Sequence, residues 1–146
     1  MLEYAGFVHL MPLQIRWGDM DALGHVNNAV YLTYFEQARV NYFAVLKLWD
    51  GGMQRFGAIV ARAAIDYKLP LFVEPNIYVA TRCARLGNRS FDIEQHLFRH
   101  KDEGDTLVAQ AMITVVSFDY EANTSISIPQ HWRDTVKAYE TTPITE

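Results

Sequence analysis

The sequence is short of several things, and each shortage narrows what the chain can be. Its 146 residues include one cysteine, Cys83, so no disulfide can form within the chain. That fits a reducing cytosol. No apolar run approaches the ~20 residues that span a bilayer. The opening stretch, MLEYAGFVHLMP, has neither the basic start nor the small-residue cleavage site of a signal peptide. The chain is therefore expected to be cytoplasmic, with no membrane span. There is no excess of positive charge: 13 Lys and Arg against 17 Asp and Glu give a net charge of -4. Nucleic-acid binding relies on a basic face, so no nucleic-acid partner is expected. The chain also lacks repeats, low-complexity segments and Pro/Gly/Ser linkers. Gly-x-Ser-x-Gly elbows, Walker loops and dinucleotide fingerprints are missing too.

What is present is an ordinary globular balance, 50% hydrophobic and 21% charged. The length suits one domain spanning residues 1–146, with a core that needs no disulfide or metal staple.

Hydrophobic periodicity then predicts the elements. From about Phe7 to Trp17, Met11, Leu13, Ile15 and Trp17 alternate with Pro12, Gln14 and Arg16, the pattern of a half-buried strand. A turn-rich stretch, Gly18 to His25, follows. From about Asn28 to Leu46 the period becomes helical: Tyr31, Phe35, Ala38, Tyr42 and Val45 share a stripe that Leu32, Phe43 and Leu46 widen. Asn27 or Asn28 suits the N-cap, because an Asn side chain accepts from the first free amides. Strands are expected from about Ile59 to Lys68, Asn76 to Leu86, Arg89 to His100 and Thr106 to Tyr120. Gly87-Asn88 makes a tight hairpin turn between the second and third of these. Pro129 to Tyr139 reads as a short closing helix. Hairpin-linked strands and one long helix give an α+β fold with a mostly antiparallel sheet of about five or six strands.

The chemistry concentrates in Arg16-Trp17-Gly18-Asp19-Met20-Asp21-Ala22-Leu23-Gly24-His25-Val26-Asn27-Asn28. Two carboxylates sit in a loop that feeds a helix N-terminus. Free amides there, helped by the helix dipole, can polarise a carbonyl, and a carboxylate nearby can attack it or activate a water. Asp, Gly and Asn are also ordinary turn formers and caps, and loop chemistry alone favours that structural role. An EF-hand is ruled out, because Leu23 holds a ligand position and Val30 stands where the bidentate Glu belongs.

The wider pattern settles between these readings. Asp19-x-Asp21-x-x-Gly24-His25-Val26-Asn27-Asn28-x-x-Tyr31-x-x-Tyr34-Phe35-Glu36-x-Ala38-Arg39 resembles the signature of the 4-hydroxybenzoyl-CoA thioesterase-like hotdog family. The resemblance implies a long helix wrapped by an antiparallel sheet, and a homodimer or homotetramer with paired active sites. It implies acyl-CoA as substrate and no cofactor beyond the coenzyme A of that substrate. By position, Asp21 matches the family's catalytic nucleophile or general base. Asn28 matches the residue whose backbone amide polarises the thioester carbonyl. Asp19 is expected to support the loop by pairing with Arg16. His25, Asn27 and Tyr31 are expected at the substrate pocket, and Arg89 and Ser90, after the Gly87-Asn88 turn, near the coenzyme's phosphates. A carrier-protein thioesterase and a non-catalytic acyl-binding module remain as alternatives.

Elsewhere little competes. Cys83 lies mid-strand without an evident partner. His96 and His100, on one strand, would be roughly 13 Å apart, too far to share a metal.

Overall fold

The computed structural model describes residues 1–49 and 51–146. Strand β1 (His9–Leu13) leads to helix α1 (Val30–Val45). Then follow β2 (Phe56–Tyr67), β3 (Ile77–Leu86), β4 (Ser90–Arg99), β5 (Thr106–Asp119), the two-residue β6 (Thr124–Ser125) and helix α2 (Gln130–Tyr139). The sheet runs β1-β3-β4-β5-β2, with β6 beside β5, and every strand pair is antiparallel. A long helix against an antiparallel sheet is the expected α+β arrangement.

Helix α1 lies across β3 and β1. Tyr31, Tyr34, Phe35, Ala38 and Tyr42 bury one stripe among Ile77, Val79, Ile93 and Ile113 of the sheet. A buried polar knot pins helix to sheet. Gln95, on β4, donates through Nε2 to the Phe35 carbonyl at 2.9 Å and to Thr81 Oγ1 at 3.1 Å. Satisfying a side-chain amide this fully is what lets it lie in the core.

Four local expectations need correction. The first strand stops at Leu13 instead of running to Trp17. Beyond it the Asp19 carboxylate accepts from the Arg16 amide and guanidinium and winds Trp17–Asp19 into a 3-10 turn. That turn throws Trp17 outward, 83% exposed. Val45, expected on the buried stripe, is 51% exposed, whereas its neighbours Tyr42 and Leu46 at the end of the helix are buried. Strand β2 does not alternate cleanly. It is an edge strand, irregular between Val60 and Arg62, and Ile59, Val60 and Tyr67 are all exposed. Neither Asn27 nor Asn28 is the N-cap: that position falls to Ala29, which makes no side-chain capping bond, and Asn27 Oδ1 accepts from the Ala29 amide at 2.9 Å in the loop before the helix.

Candidate active site

The loop before α1 closes on itself as a small hairpin. Met20 and Val26 bridge antiparallel, the Asp21 amide donates to the His25 carbonyl at 2.7 Å, and the Asn27 amide donates to the Asp19 carbonyl at 2.9 Å. Gly24, at φ +88, supplies the left-handed residue that this turn requires. The Val26 amide donates to the Leu71 carbonyl at 2.8 Å, which docks the hairpin on the segment between β2 and β3.

Asp19 is the hairpin's anchor. It is 2% exposed, and its carboxylate accepts from the Tyr34 hydroxyl at 2.6 Å and from the Arg16 backbone amide at 3.0 Å. The Arg16 guanidinium adds a contact at 2.9 Å. Burial pushes the Asp19 carboxyl up, but the hydrogen bonds from Tyr34 and Arg16 outweigh it and hold the group below the usual carboxylate range. Helical side chains lean toward the N-terminus, which is how Tyr34 reaches back to this loop. Burial and the Asp19 charge push the Tyr34 phenol up. The expected Arg16 pairing is present; the shorter contact comes from Tyr34, three residues after Tyr31 on the same helical face, and joins residues too far apart for local spacing to reveal.

Asp21 is half-buried at the tip. Its Oδ1 accepts from the Leu23 amide at 2.9 Å and the His25 amide at 3.4 Å, and no hydrogen bond reaches its Oδ2 among the described residues. The Asn28 amide likewise meets no protein acceptor among them, whereas the Asn28 carbonyl accepts from the Tyr67 hydroxyl at 3.0 Å. Among the described residues no side chain caps α1, and no acidic residue lies in its first turn. The positive end of the helix dipole is thus left uncompensated by a side chain.

The other expected residues divide into two groups. His25 is half-buried with its ring 5.8 Å from the Phe72 ring, and Tyr31 is buried edge-on to Tyr67 at 4.9 Å. Burial pushes the Tyr31 phenol up to about 12. With Asp21, Asn27 and Asn28, these two sit at one end of the sheet, beside the end of β2. Arg89 and Ser90 are elsewhere. Leu13 pairs with Ile77 near the loop, whereas the 87–90 turn caps the other end of β3, roughly 30 Å away at about 3.3 Å per residue. Arg89 Nη1 donates to the Ser125 carbonyl at 2.9 Å, and Ser90 Oγ accepts from Arg85 at 2.9 Å. One chain does not bring the two groups together.

That geometry has known counterparts. A family model described as the thioesterase-like superfamily matches residues 15–136. This chain belongs to that superfamily. Thioester hydrolysis is the activity such membership carries, and the fold is a hotdog. The chain is 25% identical over 122 residues to the acyl-CoA thioesterase YbgC of Haemophilus influenzae, covering 82% of this chain and 87% of that one. It is 24% identical over 132 residues to the long-chain acyl-CoA thioesterase FadM of Escherichia coli, covering 84% and 92%. A Thermus thermophilus thioesterase structure, complexed with coenzyme A and Zn, superimposes with a TM-score of 0.80 at 30% identity, over 96% of this chain and 100% of that one. Among the described residues no three His, Cys, Asp or Glu side chains group as metal ligands would, and no helix is long and apolar enough to cross a membrane.

Proposed function

We propose that this chain hydrolyses an acyl-coenzyme A to the free acid and coenzyme A, with Asp21 and the Asn28 amide as the reacting centre. The observation that carries the reading is the pair of unengaged groups in one loop, the Asp21 Oδ2 and the Asn28 N–H at the uncapped start of α1. The amide donates a hydrogen bond to the thioester carbonyl oxygen and stabilises the negative charge that grows there. As general base, Asp21 takes a proton from the attacking water; as nucleophile, it forms an anhydride that water then opens. In both courses the C–S bond breaks, and the coenzyme leaves as a thiolate that then takes up a proton. This course uses no metal or redox group.

The same reading includes a homodimer. β2 is a 12-residue edge strand whose Phe56, Ile59, Val60 and Tyr67 are exposed, the kind of edge that invites another strand. Two copies paired antiparallel along β2 set the Tyr67 end of one beside the Phe56 end of its partner. Ile59 pairs with Val116, and Val116 with Ser90, so the 87–90 turn lies toward that Phe56 end. A coenzyme lying across the pair then reaches from Asp21 of one copy toward the partner's Arg89, whose guanidinium suits phosphate. Stacking into a tetramer remains compatible with this pairing.

The test is thiol release from a panel of acyl-CoAs, wild type beside Asp21→Asn, with acylated carrier protein as competitor. Turnover of free acyl-CoA that disappears in the variant supports the reading. Undiminished turnover in a folded Asp21→Asn sinks the mechanism, and binding without turnover on any substrate favours the acyl-binding module.

A further inference from the structure

A cavity of about 480 Å³ opens between the C-terminal half of α1, the start of β2 and helix α2. Val40, Phe43, Met53, Phe91, Val115 and Trp132 give it largely apolar walls. Among the described residues, one charged side chain in that lining is buried: Arg39, 7% exposed.

Arg39 is short of partners. Its Nη1 donates to Gln95 Oε1 at 3.3 Å, and among the described residues no carboxylate comes within ion-pair distance of it. Glu36 acts on it only at longer range. Gln95 cannot turn to offer more, because its Nε2 is held by the Phe35 carbonyl and Thr81. A guanidinium carries five N–H donors. None of Arg39's nitrogens is among the described polar atoms sealed away without a partner, so its unpaired donors keep some accessible surface, and the cavity is the space that Arg39 lines. A buried, unpaired charge is costly to a fold unless something completes it. An apolar chamber with spare cationic donors suits a ligand that is mostly hydrocarbon and ends in an acceptor oxygen.

We infer that this cavity holds the acyl group and that Arg39 selects acyl chains carrying an acceptor oxygen at their far end. The inference rests on the acyl-CoA reading above. Gly57, Ala58 and Val60 place the cavity at the Phe56 end of β2, the end that the proposed pairing sets against the partner's Asp21. The thioester is then held at that loop while the chain runs inward past Phe43 and Phe91 toward Arg39. The acceptor is a carboxylate or a neutral hydroxyl or carbonyl, all of which a guanidinium can bind.

The test uses three thioesters of one length: octanoyl-CoA, ω-hydroxyoctanoyl-CoA and suberoyl-CoA, the last ending in a carboxylate. The wild type is expected to favour at least one oxygen-ended substrate over octanoyl-CoA by roughly tenfold or more in kcat/KM. Gain on suberoyl-CoA alone identifies a carboxylate, gain on ω-hydroxyoctanoyl-CoA alone identifies a neutral acceptor, and equal gain on both shows that Arg39 takes either. Arg39→Gln is expected to bring the ratio to about one while octanoyl-CoA is still turned over. A merely structural Arg39 would lower all three rates together and leave the ratio intact, which would overturn the inference. So would a wild-type ratio of one, a result that needs no variant to fold. The same ratio, measured as Kd by calorimetry, needs no turnover. Preference in binding without hydrolysis overturns the hydrolase reading and sustains the selector; hydrolysis without preference overturns the selector alone. Absence of binding to all three overturns both.

Discussion

Replacing Tyr34 by Phe removes one oxygen from the bond that anchors the active loop. The ring stays, buried and 6.2 Å from the Tyr31 ring, so packing is preserved. What is lost is a 2.6 Å hydrogen bond to a buried carboxylate. Hydrogen bonds to charged groups contribute about 1.5–3 kcal/mol. Asp19 keeps the Arg16 amide and guanidinium, so it is not stranded, and the lower part of that range, about 1.5–2 kcal/mol, is expected. Arg16→Ala is expected to cost less, because the Arg16 guanidinium lies in water, where an ion pair is screened. Urea unfolding of the three proteins at pH 7 measures this order. Its pH dependence has a definite sign. A carboxyl held below its ordinary value contributes stability that is fully present above the unfolded-state pKa, about 3.9, and is lost as pH falls through the lower folded-state value. The gap between wild type and Tyr34→Phe should therefore hold from pH 7 to pH 5 and close only in stronger acid. A variant within about 0.5 kcal/mol of wild type, a costlier Arg16→Ala, or a gap that closes between pH 7 and 5 would refute the reasoning.

Three other expectations follow from the same contacts. Cys83 is buried and its thiol is pushed up to about 12, chiefly by burial, so alkylating reagents at pH 8 should leave it untouched in native protein and modify it in urea; prompt native labelling would contradict this. His9 is buried with Nε2 paired to Asn41 Oδ1 at 2.7 Å, and burial lowers its pKa despite that bond. Its imidazole should titrate by NMR below the ordinary value of about 6.5, and the stability it contributes falls as pH drops below that value; a midpoint at or above it would contradict the assignment. Val60→Lys places a charge on the exposed edge strand β2. Sedimentation should find a dimer in the wild type and a monomer in the variant, and a monomeric wild type would remove the proposed pairing.

The sequence showed the regular elements well where one face is buried and the other is not. The β3–β4 hairpin around Gly87-Asn88, strand β5 and helix α2 all fall within a residue or two of their expected bounds. It was least informative where tertiary contacts override the pattern. The alternation through Trp17 extends past the true strand because a single carboxylate, Asp19, captures Arg16 and turns the chain. The edge strand β2 has apolar residues on both faces, which one chain's periodicity cannot sort into buried and exposed. At the candidate site, the Asp19-to-Asn28 loop stood out because its residue types and spacing are local. The Tyr67 hydroxyl on the Asn28 carbonyl did not, since it joins residues far apart in sequence. Arg39 belonged to the quoted motif, yet only three dimensions show it at a cavity wall with Gln95 as its one hydrogen-bond partner among the described residues.

The central claim is that Asp21 drives thioester hydrolysis, and a continuous thiol-release assay across short, medium, long and aromatic acyl-CoAs tests it most directly. Wild type and a folded Asp21→Asn would be run side by side. The account predicts turnover of at least one thioester by the wild type and its near-complete loss in the variant. Equal rates in the two proteins would contradict it.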